Sequence, residues 1–473
     1  GGGMSVRLPV DAGRPLPERK SDWGDGIIME VQKKKISGGV HPKDDGKSLS
    51  SGVAIKPAPL LEKYQVILCQ HIGAPPKLIV NPGDVVKKGQ MIAEPGGFVS
   101  APVHAPTSGT VGKVIDVPGP MGVNQQAVEI LADGKDEFDS GLEPIADWRQ
   151  AAPEVLKERI GKAGIVGMGG AAFPTLVKLS PPPAKKIDTL ILNGAECEPY
   201  LTADHRLMLE RADAVLTGAA IMARVLGITR IYIGIEANKP NAIAELQTKA
   251  PNYNAKVVVL KVRYPQGGEK QLIYAVTGRK VPEGMLPMDA GCVVQNVGTA
   301  AAVAEAVLEG KPLFERVTTV TGLPVVNPGN WLVRIGTPIA EVLRLAGGVK
   351  STPGKVILGG PMMGFAQKSI EVPVMKNTSG ILLLDQSEVV QFTSQPCIRC
   401  GKCIDNCPMN LLCGTISCFI ENEKFDKAEE LHVMDCLECG ACAYACPAHR
   451  PLVQHVRRAK AEIRARKAKE NKK

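Results

Sequence analysis

The sequence predicts an α/β multidomain protein, and three observations predict it. Between 150 and 312, apolar runs of strand length alternate with segments of helix length. From 61 to 135, short strands alternate with Pro/Gly turns. Near the C-terminus, Cys397-Ile-Arg-Cys400-Gly-Lys-Cys403-Ile-Asp-Asn-Cys407-Pro408 is echoed by Cys436-Leu-Glu-Cys439-Gly-Ala-Cys442-Ala-Tyr-Ala-Cys446-Pro447, which marks a separate, cysteine-bound unit.

At 473 residues the chain is long enough for about three domains with cores of their own. Hydrophobic residues make up 44% and charged residues 22%, the balance of a globular protein. No apolar run reaches the roughly eighteen residues that a membrane-crossing helix needs, so any membrane contact is expected to be peripheral. The N-terminal stretch lacks an apolar centre, so no signal peptide is expected, and Gly1 to Gly3 ahead of Met4 are expected to be an added remnant outside the fold. Net charge is +9, but residues 457–473 hold nine Lys/Arg against two Glu, so +7 of it lies in the tail. The near-neutral remainder argues against a nucleic-acid-binding body. The basic tail, 456–473, is expected to be a solvated terminus, with contact to anionic lipid or an acidic partner as the alternative.

Residues 1–60 are turn-rich, as in Ser37-Gly38-Gly39-Val40-His41-Pro42, and form an expected N-terminal extension that wraps over another domain or stays mobile. In 61–135, Asn81 to Gln90 and Ala105 to Val111 repeat one design of short strand and turn. Together they resemble the halves of a biotinyl/lipoyl-like β-sandwich. A carrier of that type presents a lysine between its halves. Here that hairpin, Phe98 to His104, has none, so the module is read as structural.

In 150–312, the pattern predicts strands at Lys186 to Leu192, Arg230 to Ile235 and Ala255 to Val262, and helices at 203–226, 241–249 and 269–276. This is a Rossmann-like parallel sheet covered on both faces, with ligands at the carboxyl ends of its strands. Four loops fall at such places. The first, Gly164 to Thr175, contains Gly167, Met168, Gly169, Gly170 and Phe173, with Lys178 after it; glycines admit a phosphate or flat ring and the lysine adds charge. The second runs from Asn193 through Glu196, Cys197 and Glu198 to Tyr200, whose acids and amide suit ribose and ring edges or simply an acidic helix entry. The third is Tyr264 to Lys270, with Gly267, Gly268 and Glu269; the fourth, Gln295 to Thr299, is a polar cap on an Ala-rich helix, with Asn296 and Thr299. The set points to a large flat cofactor bearing a phosphate and lacks the G-x-G-x-x-G fingerprint with its later acid.

From 313 to 370 the order of strand, strand, helix, strand (Val317 to Thr321, Gly329 to Arg334, Pro338 to Ala346, Lys355 to Leu358) resembles a β-grasp of the soluble ligand-binding type, read as a spacer. Gly380 to Leu384 is a last apolar strand before the cysteines. In 385–455, each run has the C-x2-C-x2-C-x3-C-P spacing of a bacterial ferredoxin with two [4Fe–4S] clusters, and zinc sites more often use two C-x2-C pairs. In that ferredoxin arrangement the fourth cysteine of each run crosses over. Cys397, Cys400, Cys403 and Cys446 are therefore assigned to one cluster, and Cys436, Cys439, Cys442 and Cys407 to the other. The eight leave Cys69, Cys197, Cys292, Cys413 and Cys418 scattered without a disulfide pattern, and a cytoplasmic setting is expected. Cys413 and Cys418 are read as packing on a helix face.

Taken together, Gly167-x-Gly169-Gly170-x-x-Phe173-Pro174-Thr175, Asn193-x-x-Glu196-x-Glu198-Pro199, Gly267-Gly268-Glu269 and Asn296-Val297-x-Thr299 resemble the flavin- and NADH-binding subunit of respiratory NADH dehydrogenase. With the Gly-Gly-Val-His-Pro opening and the double cysteine run, the module order over 36–450 is similar to the RnfC family, the C subunits of Rnf complexes, which are ion-translocating ferredoxin:NAD oxidoreductases. The resemblance implies FMN within Gly167, Gly169, Lys178, Asn193, Glu196, Gly268, Glu269, Asn296 and Thr299, and NADH facing Phe173 and Glu198. It implies a C-terminal two-cluster ferredoxin-like α-helical domain. It also implies partners that are the other subunits of a membrane complex, including an Fe–S subunit that accepts electrons from ferredoxin. The place implied is peripheral, on the cytoplasmic face of the cell inner membrane. Met168, Ala195 and Gly298 depart from the dehydrogenase pattern, which has a basic residue and two acids there. Two other functions remain open: a cluster-only wiring or docking subunit with a degenerate nucleotide site, and a flavin/Fe–S corrin reductase. No acid–base or nucleophilic catalytic side chain is expected.

Overall fold

The computed structural model describes residues 36–42 and 45–470; expectations for the earlier residues lie outside it. The first module is two small antiparallel sheets. One runs in the order Lys63–Ile67, Asn124–Ala132, Gly109–Pro118, Val85–Val86, and the other Lys77–Leu78, Met91–Glu94, Val103–His104. Alternation buries Tyr64, Val66, Ile92, Val111 and Ile130 between them.

The next module is a four-stranded sheet in the order Ala255–Leu260, Arg230–Glu236, Thr189–Gly194, Cys292–Asn296, parallel throughout. Leu190, Ile191 and Leu192 are all fully buried, so both faces of the central strand are covered, as a continuous apolar run requires. Helices Ala212–Leu226 and Val297–Leu308 pack so closely that a β-carbon on Gly218 would lie 1.8 Å from the carbonyl oxygen of Ala300. Helix Glu269–Thr277 lies over Ile191 and Val294, to which it presents Leu272 and Ile273.

Two expected elements shift. The strand expected from Lys186 begins at Thr189, because Lys185 and Asp188 are held at the surface by Asp289 and by Arg279 (Nη1 to Oδ1 2.6 Å). The single helix expected over 203–226 is two, Ala203–Glu210 and Ala212–Leu226. Arg211 leaves helical geometry (φ −133°, ψ 37°), and its guanidinium reaches Glu305 Oε1 at 2.6 Å.

A six-stranded sheet follows, in the order Ile55–Pro57, Gly329–Arg334, Glu315–Thr321, Gly380–Leu384, Lys355–Leu358, Phe365–Ala366. Helix Ile339–Leu345 packs its buried Ile339, Val342 and Leu343 on this sheet. Two segments expected elsewhere therefore belong to it. Gly380–Leu384 is a central strand, and Ile55–Pro57, from the expected N-terminal extension, is its edge.

Described parts of that extension wrap. Val40 and Tyr264 exchange backbone hydrogen bonds (2.8 and 2.9 Å), and Gly39 N–H donates to Asn406 O at 2.9 Å. Gly38 has φ +57°, and a β-carbon there would meet Cys407 O at 2.5 Å, so only glycine fits between the strap and the cysteine run.

The C-terminal unit is helical: Cys413–Glu421, Phe425–Glu430 and the long Leu452–Glu470 pack around Ile416, Ile420, Val456 and Ile463. This corrects the expectation of a solvated basic tail. The tail helix buries Val456, Ala459 and Ile463, and its charges pair locally, Arg457 and Lys460 with Glu438, Arg458 with Glu423, Arg466 and Lys467 with Glu429.

The crossing at Gly218 yields a direct expectation. Gly218→Ala forces apart helices Ala212–Leu226 and Val297–Leu308 and should lower stability by about 2–3 kcal/mol, typical of overpacking; an unchanged midpoint in chemical denaturation would contradict it.

Candidate functional site

The carboxyl ends of the four parallel strands open onto the four loops singled out above, and the structure brings all four together. The glycine loop is closed at its base by Gly167 N–H to Phe173 O (2.9 Å) and Thr175 N–H to Ile165 O (3.0 Å). Thr299 ties it to the fourth loop: its Oγ1 accepts from Met168 N–H (2.9 Å) and donates to Val166 O (3.3 Å). Asn296 caps helix Val297–Leu308 by accepting from Gly298 and Thr299 N–H, and its Nδ2 donates to Asp204 Oδ2 at 2.7 Å in the helix after the second loop. Asn193 Nδ2 donates to Gly267 O at 2.9 Å, joining the second and third. Lys178 Nζ reaches Glu269 Oε1 (2.8 Å) and Val294 O (3.1 Å), joining the first and third.

The residues present fit a phosphate-bearing flat group. Gly169 and Gly170 are exposed, and a β-carbon on Gly170 would meet nothing within 4 Å, so bare backbone faces outward. Lys178 remains partly exposed, and Gly267-Gly268 lead into the N-terminus of helix Glu269–Thr277. Bare glycine backbone, one ammonium and a helix N-terminus at the carboxyl edge of a parallel sheet form an anion-accepting ledge.

Several expected ligands have structural roles. Glu196 caps helix Ala203–Glu210, accepting from Asp204 N–H (2.7 Å) and His205 N–H (3.2 Å). Burial and the Glu196 charge push the Asp204 carboxyl up. Glu198, expected to face NADH, is turned instead toward the six-stranded sheet, where it accepts from Met362 N–H (3.1 Å) and Met363 N–H (2.8 Å). Desolvation pushes its carboxyl up to about 7 against those hydrogen bonds. Gly360 must be glycine there, since a β-carbon would lie 2.2 Å from Glu198 Oε2. Phe173 is half-buried within the first loop. Burial pushes the Cys197 thiol up to about 12, which favours the protonated form; it accepts from Gly267 N–H at 3.3 Å.

Four buried cations that sequence reasoning missed hold these loops by their carbonyl oxygens. Lys47 Nζ donates to Glu196 O (2.9 Å), Glu198 O (2.8 Å) and Leu201 O (2.6 Å). Lys239 donates to Ala195 O (2.6 Å). Arg316 donates to Lys376 O (2.6 Å) and Met168 O (3.3 Å). Lys376 donates to Gly164 O and Pro102 O, both 2.7 Å. In sequence each is an ordinary charged residue, and only Lys47 had a signal, its place in a Gly-rich strap.

The cysteine runs fold as near copies. Arg399 and Gly401 in the first, and Glu438 and Gly440 in the second, take left-handed φ values of 55°, 77°, 56° and 79°, which curl each run so that its thiols converge. Cys407, Cys436, Cys439 and Cys442 line one apolar pocket with Leu452, Val453 and Val456. The Cys403 thiol interacts with those of Cys397 and Cys446 and also with that of Cys442, and Cys400 is exposed on the same loop. Cys407, the fourth cysteine of the first run, thus lines the pocket of the second run's first three. Backbone N–H groups point at sulfur, Leu411 to Cys407 at 3.3 Å and Glu438 to Cys436 at 3.4 Å. Four thiols, amide donors and an apolar wall fit an iron–sulfur cluster. Cys413 and Cys418, expected merely to pack, stand beside cluster-set thiols, Cys413 by Cys407 and Cys442, Cys418 by Cys397.

The second set abuts the α/β domain. Tyr264 OH donates to Cys439 O at 2.6 Å, Gln271 Nε2 to Pro408 O at 3.4 Å, and a β-carbon on Gly440 would lie 2.8 Å from Met362 O.

Comparison with known proteins matches four family models along the chain: an RnfC barrel sandwich hybrid domain at 34–135, a Nuo51 FMN-binding domain at 160–305, an SLBB domain at 317–366 and a 4Fe–4S dicluster domain at 389–447. The chain is 47% identical over 433 residues to the C subunit of the proton-translocating ferredoxin:NAD(+) oxidoreductase complex of Clostridium ljungdahlii, covering 91% of this chain and 94% of that relative. It belongs to the RnfC family. The C subunit of the Na(+)-translocating ferredoxin:NAD(+) oxidoreductase complex of Acetobacterium woodii is 45% identical over 448 residues, 94% of this chain and all (100%) of that relative. A chain of NAD+-reducing [NiFe]-hydrogenase aligns at 18% identity and a TM-score of 0.49, over 66% of this chain and 64% of that one, too distant to carry an argument.

In this RnfC-family chain the three departures have local causes. Met168 is buried with its backbone held on both sides, Ala195 is fully buried, and Gly298 sits where a β-carbon would press Asn296 Oδ1 at 3.0 Å. A charge at any of them would be buried.

Glu198 gives this site a pH signature. Its folded value, about 7, lies above the ordinary 4.5, so between those values the folded chain keeps a proton that the unfolded chain has released. Stability contributed by this group is therefore present at low pH and lost as pH rises to about 7. Wild type should lose ground to Glu198→Gln across that window in urea midpoints and then run parallel to it; a constant difference would contradict this.

Proposed function

We propose that this chain is the electron-transfer subunit of a membrane-bound, ion-translocating ferredoxin:NAD oxidoreductase, exchanging hydride between NAD(H) and FMN and single electrons through two [4Fe–4S] clusters. The observation that carries the reading is the junction of its two redox modules. The FMN-binding family match spans 160–305, and Tyr264 and Gln271 within it bond the backbone at Cys439 and Pro408. When bound, FMN would turn the two electrons of a hydride into single ones, and the clusters would conduct those at low potential.

The chain's own residues would bind, orient and insulate. The backbone of Gly167, Gly169 and Gly170 would approach the flavin, and Lys178 with the N-terminus at Gly268 and Glu269 would hold its phosphate. Asn193, Asn296 and Thr299 would keep those loops in register, with Glu196 and Glu198 as supports behind them. Phe173, half-buried beside the bare glycines, would bound the nicotinamide side. Cys407, Cys436, Cys439 and Cys442 would hold the cluster on the flavin-domain side, and Cys397, Cys400, Cys403 and Cys446 the outer one. The apolar wall and buried lysine of the tail helix, with Lys460 Nζ 2.6 Å from Cys436 O, would exclude water and place positive charge beside the inner set.

Among the described residues no helix is long and apolar enough to cross a membrane. We place the chain peripherally on the cytoplasmic face, bound to membrane subunits and to an Fe–S subunit that takes electrons from ferredoxin. The relatives' names, which make each the C subunit of a ferredoxin:NAD(+) oxidoreductase complex, support this assembly.

Anaerobically purified chain should contain flavin and about eight irons, and NADH should bleach the flavin band. Absence of flavin after reconstitution, with clusters that dithionite still reduces, would leave only a wiring role. Lys178→Met should weaken FMN binding about tenfold, roughly 1.4 kcal/mol, without changing iron content; an unchanged flavin affinity would remove Lys178 from the phosphate site.

A further inference from the structure

A fifth thiol shares the inner cysteine pocket. Cys413 opens helix Cys413–Glu421, is 7% exposed, and lines the same pocket as Cys407, Cys436, Cys439 and Cys442. Its thiol interacts with those of both Cys407 and Cys442. Four sulfurs suffice for a [4Fe–4S] cluster, so one of the five is surplus, and a buried thiol within reach of two ligands is placed to become one.

Local geometry says which ligand it can replace. Cys436, Cys439 and Cys442 belong to one curled run and move together. Cys407 reaches the pocket from the other run, and Cys413 lies at the far end of the same short turn. That turn passes through Asn410, with φ 55°, and is held to the pocket by Leu411 N–H on Cys407 Sγ at 3.3 Å. Cys413 is anchored lightly, its thiol donating to Leu411 O at 3.4 Å. The helix it opens is pressed against the outer set as well, a β-carbon on Gly414 lying 3.4 Å from Cys403 Sγ. The first turn of the helix therefore stands between the two cysteine sets, with the Cys413 thiol on the inner pocket.

We propose that Cys413 is a reserve ligand of the inner cluster, able to replace Cys407; this rests on the two-cluster reading above. In the exchange the bond from one iron to Cys407 Sγ breaks and that sulfur takes a proton. The Cys413 thiol gives up a proton and its Sγ binds the same iron. No electron is gained or lost and the cluster keeps its composition. The device would let the cluster survive loss or oxidation of Cys407, the one ligand that does not belong to the compact second run.

The test is iron and sulfide content, with EPR of the dithionite-reduced full chain. Wild type should hold about eight irons per chain; a reconstituted wild type with about four would sink the two-cluster reading itself. Cys407→Ala should retain about eight, with the EPR signal of one cluster shifted, and Cys407→Ala with Cys413→Ala should fall to about four. The proposal is overturned if Cys407→Ala alone falls to about four irons, or if the double variant keeps eight. Should the alanine variants not accumulate, Cys407→Val with and without Cys413→Ala gives the same comparison, and flavin binding by the α/β domain reports folding independently.

Discussion

Everything at the carboxyl edge of the parallel sheet depends on donors for backbone carbonyls that no ladder or helix can satisfy. Loops that leave a sheet edge and run into a domain seam lose water without gaining secondary structure, and an unpaired buried carbonyl is costly. Here the donors are cations. Lys47 serves two carbonyls of the second loop and that of Leu201 just past it, Lys239 another within the loop, and Arg316 and Lys376 serve Met168 and Gly164 of the glycine loop. An ammonium offers three donors from one atom, so one side chain can fix a whole turn. Burial has a cost, visible in Lys376, which desolvation pulls down to about 7, while Arg316 stays well above neutrality at about 10. His104, buried beside Lys376, is held down to about 3 and stays neutral.

Three of these anchors come from modules other than the one they anchor: Lys47 lies in the N-terminal strap, Arg316 in strand Glu315–Thr321 of the six-stranded sheet and Lys376 just before its strand Gly380–Leu384. The site is thus a property of the assembled chain, and the isolated α/β segment would lack the donors that shape its loops. The same reasoning explains why Glu198 faces Met362 and Met363. At a seam, a carboxylate that accepts two backbone N–H groups is worth more as a joint than as an exposed ligand.

Most of the architecture was legible because it depends on local period and spacing. Apolar runs such as Leu190 to Leu192 bury both faces, so their strands are plain, and the two cysteine runs specify their own curl. What was illegible depends on partners distant in sequence. The break at Arg211 is drawn by Glu305, the late start of the strand at Thr189 by charges that pair across the surface, and the docking of the tail by Glu438 and Glu429. A charged side chain in sequence reads as surface; nothing local tells Lys47 or Lys376 from any other lysine. The four loops of the candidate site were found by their glycines and amides, but whether each amide faced a ligand or a neighbouring loop was not, since the Nδ2 groups of Asn193 and Asn296 donate to residues 74 and 92 positions away.

The cysteine unit carries the same lesson into function. Its two runs are equivalent in sequence, down to matching left-handed residues, yet they are not equivalent in place. Tyr264, Gln271, Gly38 and Met362 all close on the run that contributes Cys439 or on the Cys407 turn, and the set with Cys400 looks outward. A pseudo-symmetric unit docked on one side must acquire an inner and an outer cluster position. The inner one is then enclosed by the flavin-domain backbone and the tail helix, which lower water access, while Lys460 and Arg457 beside it are paired with Glu438. Burial opposes added negative charge and backbone N–H groups aimed at sulfur favour it, so surfaces that differ in both hold the two positions at different potentials. What distinguishes the two positions is therefore not the cysteine motifs, which are alike, but the asymmetric surfaces that enclose them.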